Sequence, residues 1–299
     1  MSYILVILFL SLCLWVDHAA VALLLGITFS YLINLSEDFI TKKIGPKVLQ
    51  VGIIVLGGTI SIPKVVEVSG NYLPWISLFV FITFLLVIAA GKLLGVGKKQ
   101  SYLLASGTAI CGGTAMAAVA PVIKAKPEEL ITAMSIVFIL NALAVIFFPF
   151  LGIWLNLTQE QFGTWVALAI HDTASVVGAA SIIGEEALEV AATLKLGRTL
   201  WIVPLVLLSA WYFREKRSRT GFPLFVLFFA LAVSLNSLLS PSEEVSYFLK
   251  VTYKTFLLTG LFCIGTQINK TAIGQISLKP LFLAVSIWVV VIPVSLLVV

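Results

Sequence analysis

The stretch TWVALAIHDTASVVGAASIIG, residues 164–184, places two ionisable side chains in the middle of an apolar segment. His171 and Asp172 are flanked on both sides by apolar or small residues. Inside a membrane such side chains are rare, face the interior of the helix bundle and are functional candidates by default. The composition of the whole chain shows that a membrane is the relevant solvent.

The chain has far too little polar surface for a soluble globule of its size. Of its 299 residues, 60% are hydrophobic and 11% are charged, and the mean hydropathy is +1.12. Many apolar runs continue for 15 to 26 residues without a charge, which is longer than a strand and long enough for a membrane helix. The sequence therefore predicts an all-α polytopic membrane protein and excludes an ordinary soluble enzyme.

The distribution of basic residues argues against nucleic acid as a partner. Although the formal net charge is +5, most Lys and Arg fall in short loops such as TKKIGPK, GVGKKQ and REKRSR. Basic loops of this kind follow the positive-inside rule. Cys13, Cys111 and Cys263 lie inside apolar runs without paired spacing, so we expect no disulfide, no metal and no cofactor. The first apolar run leads directly into the next one, which argues against a cleaved signal peptide.

Apolar runs between charged or turn-forming breaks predict about eleven transmembrane helices in a single transporter domain, residues 1–299. The candidate spans lie near 2–16, 19–35, 48–63, 73–91, 102–123, 130–155, 162–183, 194–213, 222–239, 255–269 and 281–299. If all of them cross, twelve of the nineteen Lys and Arg lie on the N-terminal side, against seven on the other. This bias predicts a cytoplasmic N-terminus and a C-terminus outside the cell.

The fifth predicted span contains a break in the helix. Its sequence, SGTAICGGTAMAAVAPVIKAK (106–126), has three mid-span glycines and a following proline. Adjacent glycines at membrane depth favour unwound backbone between two half-helices, which is tolerated where it lines a cavity. A half-helix beginning near Thr114 would direct backbone N–H groups at an anion. The candidate substrate-binding residues here are Cys111, Gly112, Gly113 and Thr114; the alternative is that small residues only allow close helix packing.

The opening stretch supplies the candidate coupling residues. His171 changes charge near neutral pH and an adjacent carboxylate can tune it, so His171 and Asp172 are candidates for binding a proton during transport. Asp172 can instead form an ion pair or cap a half-helix that starts at Thr173, itself a candidate substrate ligand. Lys195 and Arg198 are candidates for meeting the anion or pairing with Asp172, and the alternative is snorkelling to the membrane interface.

Two further segments resemble each other. KVLQVGIIVLGGT (47–59) and KTFLLTGLFCIGT (254–266) align over thirteen positions, each ends in Gly-Thr, and an odd number of predicted crossings separates them. They would therefore run in opposite directions, as in an inverted-topology repeat with elements 47–95 and 254–299. The candidate substrate ligands from this pair are Gly58, Thr59, Gly265 and Thr266. A weaker similarity relates 109–123 to 169–183, but these predicted spans run the same way, so either the span count is wrong or the similarity is coincidental.

Three motifs in order carry a family resemblance: GTAICGGTAMAAVAPVIKAKPEE, then EQFGTWVALAIHDTASVVGAA, then LKLGRTLWIVPLVL. Over nearly the whole chain it resembles the YeiH-like family of bacterial membrane proteins, to which the name sulfate exporter is attached. Where members more often read Cys-Gly-Ala-Ser-Ala, this chain reads CGGTA from Cys111. The family is grouped with cation/proton antiporter-like and bile-acid-symporter-like carriers. The resemblance thus implies an inverted-repeat secondary transporter with discontinuous crossing helices around a midplane site.

The leading hypothesis is a secondary active transporter, not an enzyme, that moves a small anion such as sulfate, a related oxyanion or a sulfonate, coupled to protons or another ion. The expected setting is the bacterial inner membrane, with the lipid bilayer and a second copy of the chain in a homodimer as partners. A cation/proton antiporter that uses Asp172 is the alternative. An intramembrane enzyme with Cys111 or Ser175 as nucleophile, and a channel or scaffold, are further hypotheses. The absence of a P-loop motif argues against an ATP-driven pump.

Overall fold

The computed structural model describes residues 2–33, 39–213, 224–268, 274 and 276–299, and within them the chain is helical without strands. Part of the repeat element 254–299 lies outside the described residues. So do five of the basic residues counted for the predicted orientation: Arg214, Lys216, Arg217, Arg219 and Lys270. The helices are α1 Ser2–Val16, α2 Ala19–Leu32, α3 Ile40–Gly57, α4 Ile62–Leu93, α5 Lys98–Ser106, a π-helical segment Gly107–Cys111, α6 Gly113–Val119, α7 Pro127–Trp154, α8 Gln159–Ala169, α9 Thr173–Ile183, α10 Glu185–Thr199, α11 Ile202–Tyr212, α12 Leu224–Leu239, α13 Glu243–Gly265 and α14 Leu278–Leu296.

The predicted all-α membrane class is confirmed. Among the described residues, five segments are long and apolar enough to cross a membrane: Tyr72–Leu93, Pro127–Trp154, Glu185–Tyr212, Glu243–Gly265 and Leu278–Leu296. Shorter apolar helices occupy Ile4–Val16, Ala19–Leu32, Thr173–Ile183 and Val226–Leu239. The structure therefore does not support eleven equivalent spans, and two of the predicted spans have a different path.

Residues 98–124 form a helical hairpin, here called the first hairpin. The Lys99 ammonium at its start donates to the Lys124 carbonyl at its end, at 2.6 Å. A straight helix would separate these residues by about 37 Å. Near the tip, a β-carbon built on Gly107 would lie 3.0 Å from the Met116 side chain, so the two arms pack on each other. The chain enters the bundle through α5, turns after the π-helical segment and returns through α6.

Residues 159–184 form the second hairpin from two helices of 11 residues each, α8 and α9. The Gln159 side-chain oxygen accepts from the Ala187 N–H at 3.4 Å and contacts Gly184, so the second arm ends beside the start of the first. Thr158 and Gln161 form a capping box that fixes where α8 begins. Eleven helical residues span about 16 Å, half of a bilayer core of about 30 Å.

The prediction that 102–123 and 162–183 each cross the membrane is therefore wrong. The predicted interruptions are present, but at each one the chain reverses direction instead of continuing to the other side. A hydropathy plot detects only the length of an apolar run. Two half-length helices joined by a tip have the same apolar length as one full span, so the plot does not distinguish them. The structure also removes the conflict over 109–123 and 169–183, because the two hairpins enter the bundle from opposite ends.

Two long segments show that the two hairpins enter the bundle from opposite ends. The 28-residue α7 leads from the end of the first hairpin to the start of the second. Helices α10 and α11 run back, since α10 begins beside Gln159 and α11 ends where Lys98 lies 4.5 Å above the Tyr212 ring. The tips of the hairpins consequently point towards each other at the middle of the bundle.

The two ends of the bundle differ in charge. The end where α5 begins, here the basic end, carries Lys92, Lys98, Lys99, Lys124, Lys126 and Lys279. The end where α8 begins, here the acidic end, carries Glu160, Glu185 and Glu186, with Lys250 paired to Glu185 at 2.5 Å. This asymmetry bears on the orientation in the membrane.

Helices α3 and α13 pack along most of their length and run antiparallel. Close backbone approaches pair Gly45 with Cys263, Leu49 with Gly260 and Gly52 with Phe256. Because the partner number falls as the α3 number rises, the two helices have opposite directions. The segments 47–59 and 254–266 thus run in opposite directions, as the odd number of predicted crossings between them implied.

Candidate functional site

The tip of the first hairpin depends on Gly112. Its φ of 62° lies in the region that favours glycine, and its N–H donates to the Gly107 carbonyl at 2.8 Å. A β-carbon at Gly112 would lie 3.0 Å from the Asp172 β-carbon. The glycine is therefore required both for the turn and for the close approach of the second hairpin.

The tip of the second hairpin is formed by Ile170, His171 and Asp172, between α8 and α9. Asp172 caps α9: one carboxylate oxygen accepts from the Ser175 N–H and the other from the Ser175 hydroxyl, both at 2.8 Å. The hydrogen bonds of Asp172 therefore confirm the alternative interpretation, that this residue caps a half-helix. Its position against Gly112 brings the two tips into direct contact.

Arg198 on α10 joins the two tips from the side. It donates to the carbonyls of Thr108 and Ala109 in the first hairpin, at 2.5 and 2.6 Å. It also donates to the carbonyls of Ala167 and Leu168 in the second, at 2.9 and 2.7 Å. Since helix C-terminal carbonyls carry partial negative charge, they stabilise a buried cation. Arg198 is 0% exposed, so the snorkelling alternative is wrong for this residue.

Lys195 lies one turn earlier on α10 and is also 0% exposed. Its ammonium donates to the Ile170 carbonyl at 2.7 Å and more weakly to Ala167 at 3.5 Å. Within the described part of the chain, Asp172 forms no direct ion pair with Lys195 or Arg198. Both cations instead bind backbone carbonyls at the hairpin tips.

His171 is held by Asn141 of α7. The Asn141 side-chain oxygen accepts from the His171 N–H at 3.1 Å and lies 3.2 Å from the ring Nδ1. The other ring nitrogen, Nε2, and the Asn141 Nδ2 are buried without a hydrogen-bond partner among the described residues. Because an unpaired buried polar group is costly, these two atoms are candidates for contact with a ligand.

One face of the tip junction is accessible. Thr114 is exposed, and Gly113 and Asp172 are half-buried, whereas Cys111, Gly112 and Thr173 are buried. The junction therefore brings together seven of the predicted residues, five substrate ligands and the His171–Asp172 pair, and Lys195 and Arg198 line it. For an anion, the Thr114 hydroxyl is an accessible hydrogen-bond donor, and the buried cations behind the tips contribute positive potential without direct contact.

The other predicted substrate ligands lie elsewhere. Gly58 approaches Leu249 of α13, and the Thr59 hydroxyl donates to the Leu56 carbonyl at 2.7 Å. Gly265 packs against the backbone of α2, and the Thr266 hydroxyl lies 2.8 Å from that of Thr41. Their described contacts are with α2, α3 and α13, so the structure does not bring them to the hairpin tips.

Two residues beside the tips were not singled out by the sequence analysis. Asn141 is a lone amide in an apolar helix, and this signal did not distinguish it from an ordinary helix contact. Trp288 of α14 donates to the Ala169 carbonyl at 3.0 Å, and its ring lies 6.2 Å from that of His171. Within the described part of the chain, no cluster of His, Cys, Asp and Glu has a metal-binding arrangement.

Comparisons with known proteins agree on one group. The sequence model of a protein family described as conserved hypothetical protein 698 matches residues 4–284. A UPF0324 membrane protein of Porphyromonas gingivalis is 41% identical over 276 residues, covering 91% of this chain and 83% of the relative. A UPF0324 membrane protein of Vibrio vulnificus is 39% identical over 294 residues, covering 96% and 94%. No solved structure matches.

Proposed function

The chain belongs to the conserved hypothetical protein 698 family, which contains the UPF0324 and YeiH-like membrane proteins, and from this membership we propose that it is a secondary active transporter of a small anion. The family resemblance predicted from its three motifs is confirmed. The names of the relatives specify a membrane protein and no substrate. The argument for an anion therefore comes from the tip junction.

The charge at the junction carries the proposal. Among the described residues there, Lys195 and Arg198 are fully buried cations and Asp172 is the carboxylate. Counting Lys195 and Arg198 as protonated, Asp172 as ionised and the carbonyls as neutral, the formal total is one positive charge. Buried charge without a counter-charge is costly in a low-dielectric interior. A bound monoanion neutralises the junction, whereas a bound cation adds to the excess.

The same total suggests how a proton is coupled. A dianion such as sulfate leaves one negative charge at the junction, and a proton on His171 removes it. Asn141 holds one ring nitrogen and leaves Nε2 buried and unpaired, so Nε2 is the site that gains the proton. We therefore propose that sulfate moves with a proton, while a sulfonate monoanion moves without one.

The opposed hairpins support an inverted-repeat transporter. Transporters of this kind bind substrate near the midplane, where discontinuous helices from the two repeats meet. The two opposed hairpin tips would supply such a meeting point, and the similarity of 109–123 to 169–183 supports treating the hairpins as the two repeats. The second similarity, 47–59 with 254–266, has a spacing of 207 residues rather than 60, so a single tandem duplication does not account for both. We propose that the hairpins are the pair that forms the site.

The competing hypotheses receive less support from the geometry. For a cation antiporter, Asp172 would have to bind the cation with the lone pairs that its two Ser175 hydrogen bonds leave free, beside the buried Lys195 and Arg198. For an intramembrane enzyme, the Ser175 hydroxyl donates to Asp172 rather than to His171, and Cys111 is only 3% exposed. A nucleophile and a base within hydrogen-bond reach are needed for that chemistry.

The charges at the two ends support an orientation. Because cytoplasmic loops of inner-membrane proteins are rich in Lys and Arg, we place the basic end in the cytoplasm. The terminal residue Val299 accepts from Gln161 near the acidic end, so the C-terminus lies outside. Asp17 directly follows the end of α1 and pairs with Lys254 near the same acidic end, so we place the N-terminus inside.

Flux in proteoliposomes tests the proposal. Labelled sulfate and methanesulfonate are compared with and without a pH gradient, in the wild type, His171→Gln and Asp172→Asn. We expect the gradient to drive sulfate but not methanesulfonate, and His171→Gln to lose only the driven sulfate flux. Asp172→Asn keeps a good capping residue and raises the positive excess, so sulfate exchange persists with a weaker dependence on pH. Absence of anion flux together with Asp172-dependent sodium or potassium exchange would overturn the proposal in favour of the antiporter.

A further inference from the structure

A groove open to the surrounding membrane lies between α4, α5 and α11, with a volume of about 740 Å³. Its outer walls include Phe81, Leu85 and Leu208, which are 60%, 50% and 58% exposed. These residues belong to segments long and apolar enough to cross the membrane, so the groove faces lipid tails rather than water. We refer to it as the α4–α11 groove.

The groove has one polar end and one apolar end. Lys92 and Lys98 line its mouth at the basic end, and the Lys98 ammonium lies 4.5 Å above the Tyr212 ring. Trp211 beside it is 78% exposed, as expected for an aromatic residue at a membrane interface. At the other end the groove reaches Ile110, in the π-helical segment of the first hairpin. The mouth therefore carries positive charge at the interface, and the depth is apolar.

The length of the groove matches one leaflet. Lys98 and Ile110 are twelve residues apart on nearly continuous helix, which corresponds to about 18 Å. Half of a bilayer core is about 15 Å. Hydroxyls in the lining are already paired, since Tyr102 bonds to Ser209 at 2.9 Å and Ser101 donates to the Val96 carbonyl. The paired hydroxyls of Tyr102 and Ser101 thus leave the depth of the groove mainly apolar.

From this charge complementarity and depth, we propose that the α4–α11 groove binds an anionic phospholipid of the basic-end leaflet. One acyl chain lies along the groove as far as Ile110, and the headgroup phosphate binds Lys92 and Lys98. The phosphate-binding lysines are at the basic-end mouth and not at the tip junction, so the proposal does not depend on the transported substrate.

The chain contains a matched control. A second groove, of about 520 Å³, is lined by Leu94, Phe282 and Val285 with the single lysine Lys279. It lies at the same end of the bundle, so it experiences the same leaflet with half the lysine charge. Removing Lys279 tests whether any loss of lipid binding merely follows the total charge of the basic end.

Native mass spectrometry of the purified full chain tests the proposal with phosphatidylglycerol and phosphatidylcholine of identical acyl chains. Each lysine is expected to favour the anionic lipid about fivefold. With two lysines, we expect the wild type to retain phosphatidylglycerol about 30-fold more strongly than phosphatidylcholine. The preference disappears in Lys92→Gln/Lys98→Gln and persists in Lys279→Gln. Ile88→Trp, which fills the groove, lowers retention of both lipids. Glycerol phosphate without acyl chains does not compete.

An undiminished phosphatidylglycerol preference in Lys92→Gln/Lys98→Gln would overturn the proposal, as would an equal loss in Lys279→Gln. Competition by glycerol phosphate would instead indicate a site for free phosphate. All three lysines are at the protein surface, so these variants are expected to fold, and thermal unfolding of each in detergent verifies this.

Discussion

The hairpin tips and the seam between α3 and α13 look alike in sequence but differ in structure. Both are rich in glycine, both are related to a second segment, and both contributed candidate substrate ligands. At the tips, Gly112 has a positive φ and the helices end inside the bundle. In the seam, Gly52 and Gly260 lie within continuous helices and let the two backbones approach.

The contrast teaches that glycine alone does not mark a site. What distinguishes the tips is the end of a helix at depth together with buried charge, because free backbone carbonyls there bind Lys195 and Arg198. The seam buries no such charge among the residues described, and its threonine hydroxyls bond to each other or to nearby carbonyls. The following variants test this distinction, from the largest expected effect to the smallest.

Arg198→Met is expected to have the largest effect on folding. It leaves four carbonyls at the two tips without their donor, and we expect a loss of about 3–5 kcal/mol of unfolding free energy. Denaturation in detergent measures the change. The control Lys250→Met breaks the exposed pair with Glu185 and should cost about 0.5 kcal/mol. Equal losses of unfolding free energy in the two variants would show that the hydrogen bonds of Arg198 to the hairpin tips do not stabilise the fold.

Gly112→Ala and Gly265→Ala distinguish an effect on anion transport from an effect on helix packing. In Gly112→Ala, strain at positive φ and contact with Asp172 cost about 1–3 kcal/mol. In Gly265→Ala, the new methyl group meets the backbone of α2, with an overpacking cost of about 1–3 kcal/mol. We expect both to lower the unfolding temperature, but only Gly112→Ala to reduce anion flux per folded molecule. Reduced flux in both would remove the distinction between site and seam.

Asn141→Leu tests the support of His171. The buried His171 N–H loses its acceptor, at a cost of about 1–3 kcal/mol. The ring also loses the group that fixes it, so sulfate flux should lose its response to a pH gradient. Asn236→Leu removes a similar amide, which donates to the Ile60 carbonyl away from the tips. A retained pH response in Asn141→Leu would mean that Asn141 does not position the proton site.

Thr114→Val and Thr59→Val give the smallest effects. Thr114 is at the accessible face of the tips, and loss of one hydrogen bond to the anion should raise KM about fivefold. Thr59 follows the end of α3 and bonds to the Leu56 carbonyl, so its replacement should leave KM unchanged. Concentration dependence of flux measures both, and a raised KM in Thr59→Val alone would place the anion at the seam.

Much of the fold followed from composition and pattern. Long uncharged runs predicted a helical membrane protein, and the glycines around Gly112 predicted a helix break where one is found. Asp172 as a helix cap followed from the preference of Asp for that position. These features are local, so the residues that determine them are neighbours in the sequence.

The hairpins and the role of Asn141 were not predictable in the same way. Whether a chain continues or reverses after a glycine depends on contacts such as Lys99 with Lys124, which are 25 residues apart. The partnership of Asn141 with His171 likewise joins residues 30 positions apart. The predicted direction of each segment depends on the number of crossings before it. One hairpin mistaken for a crossing therefore reverses the predicted direction of every following segment until the second hairpin is reached.

The most direct test of the central claim, that the tips of two opposed hairpins form the anion site, is protection of Thr114→Cys from a thiol reagent. The natural Cys13, Cys111 and Cys263 are at most 3% exposed, so they give little background. Thr59→Cys serves as the seam control. Labelling rates are measured in proteoliposomes with and without sulfate and methanesulfonate.

We predict that both anions slow the labelling of Thr114→Cys and leave that of Thr59→Cys unchanged. Labelling of Thr114→Cys that is insensitive to every anion transported by the protein, with protection of Thr59→Cys instead, would contradict the account and place the site at the seam.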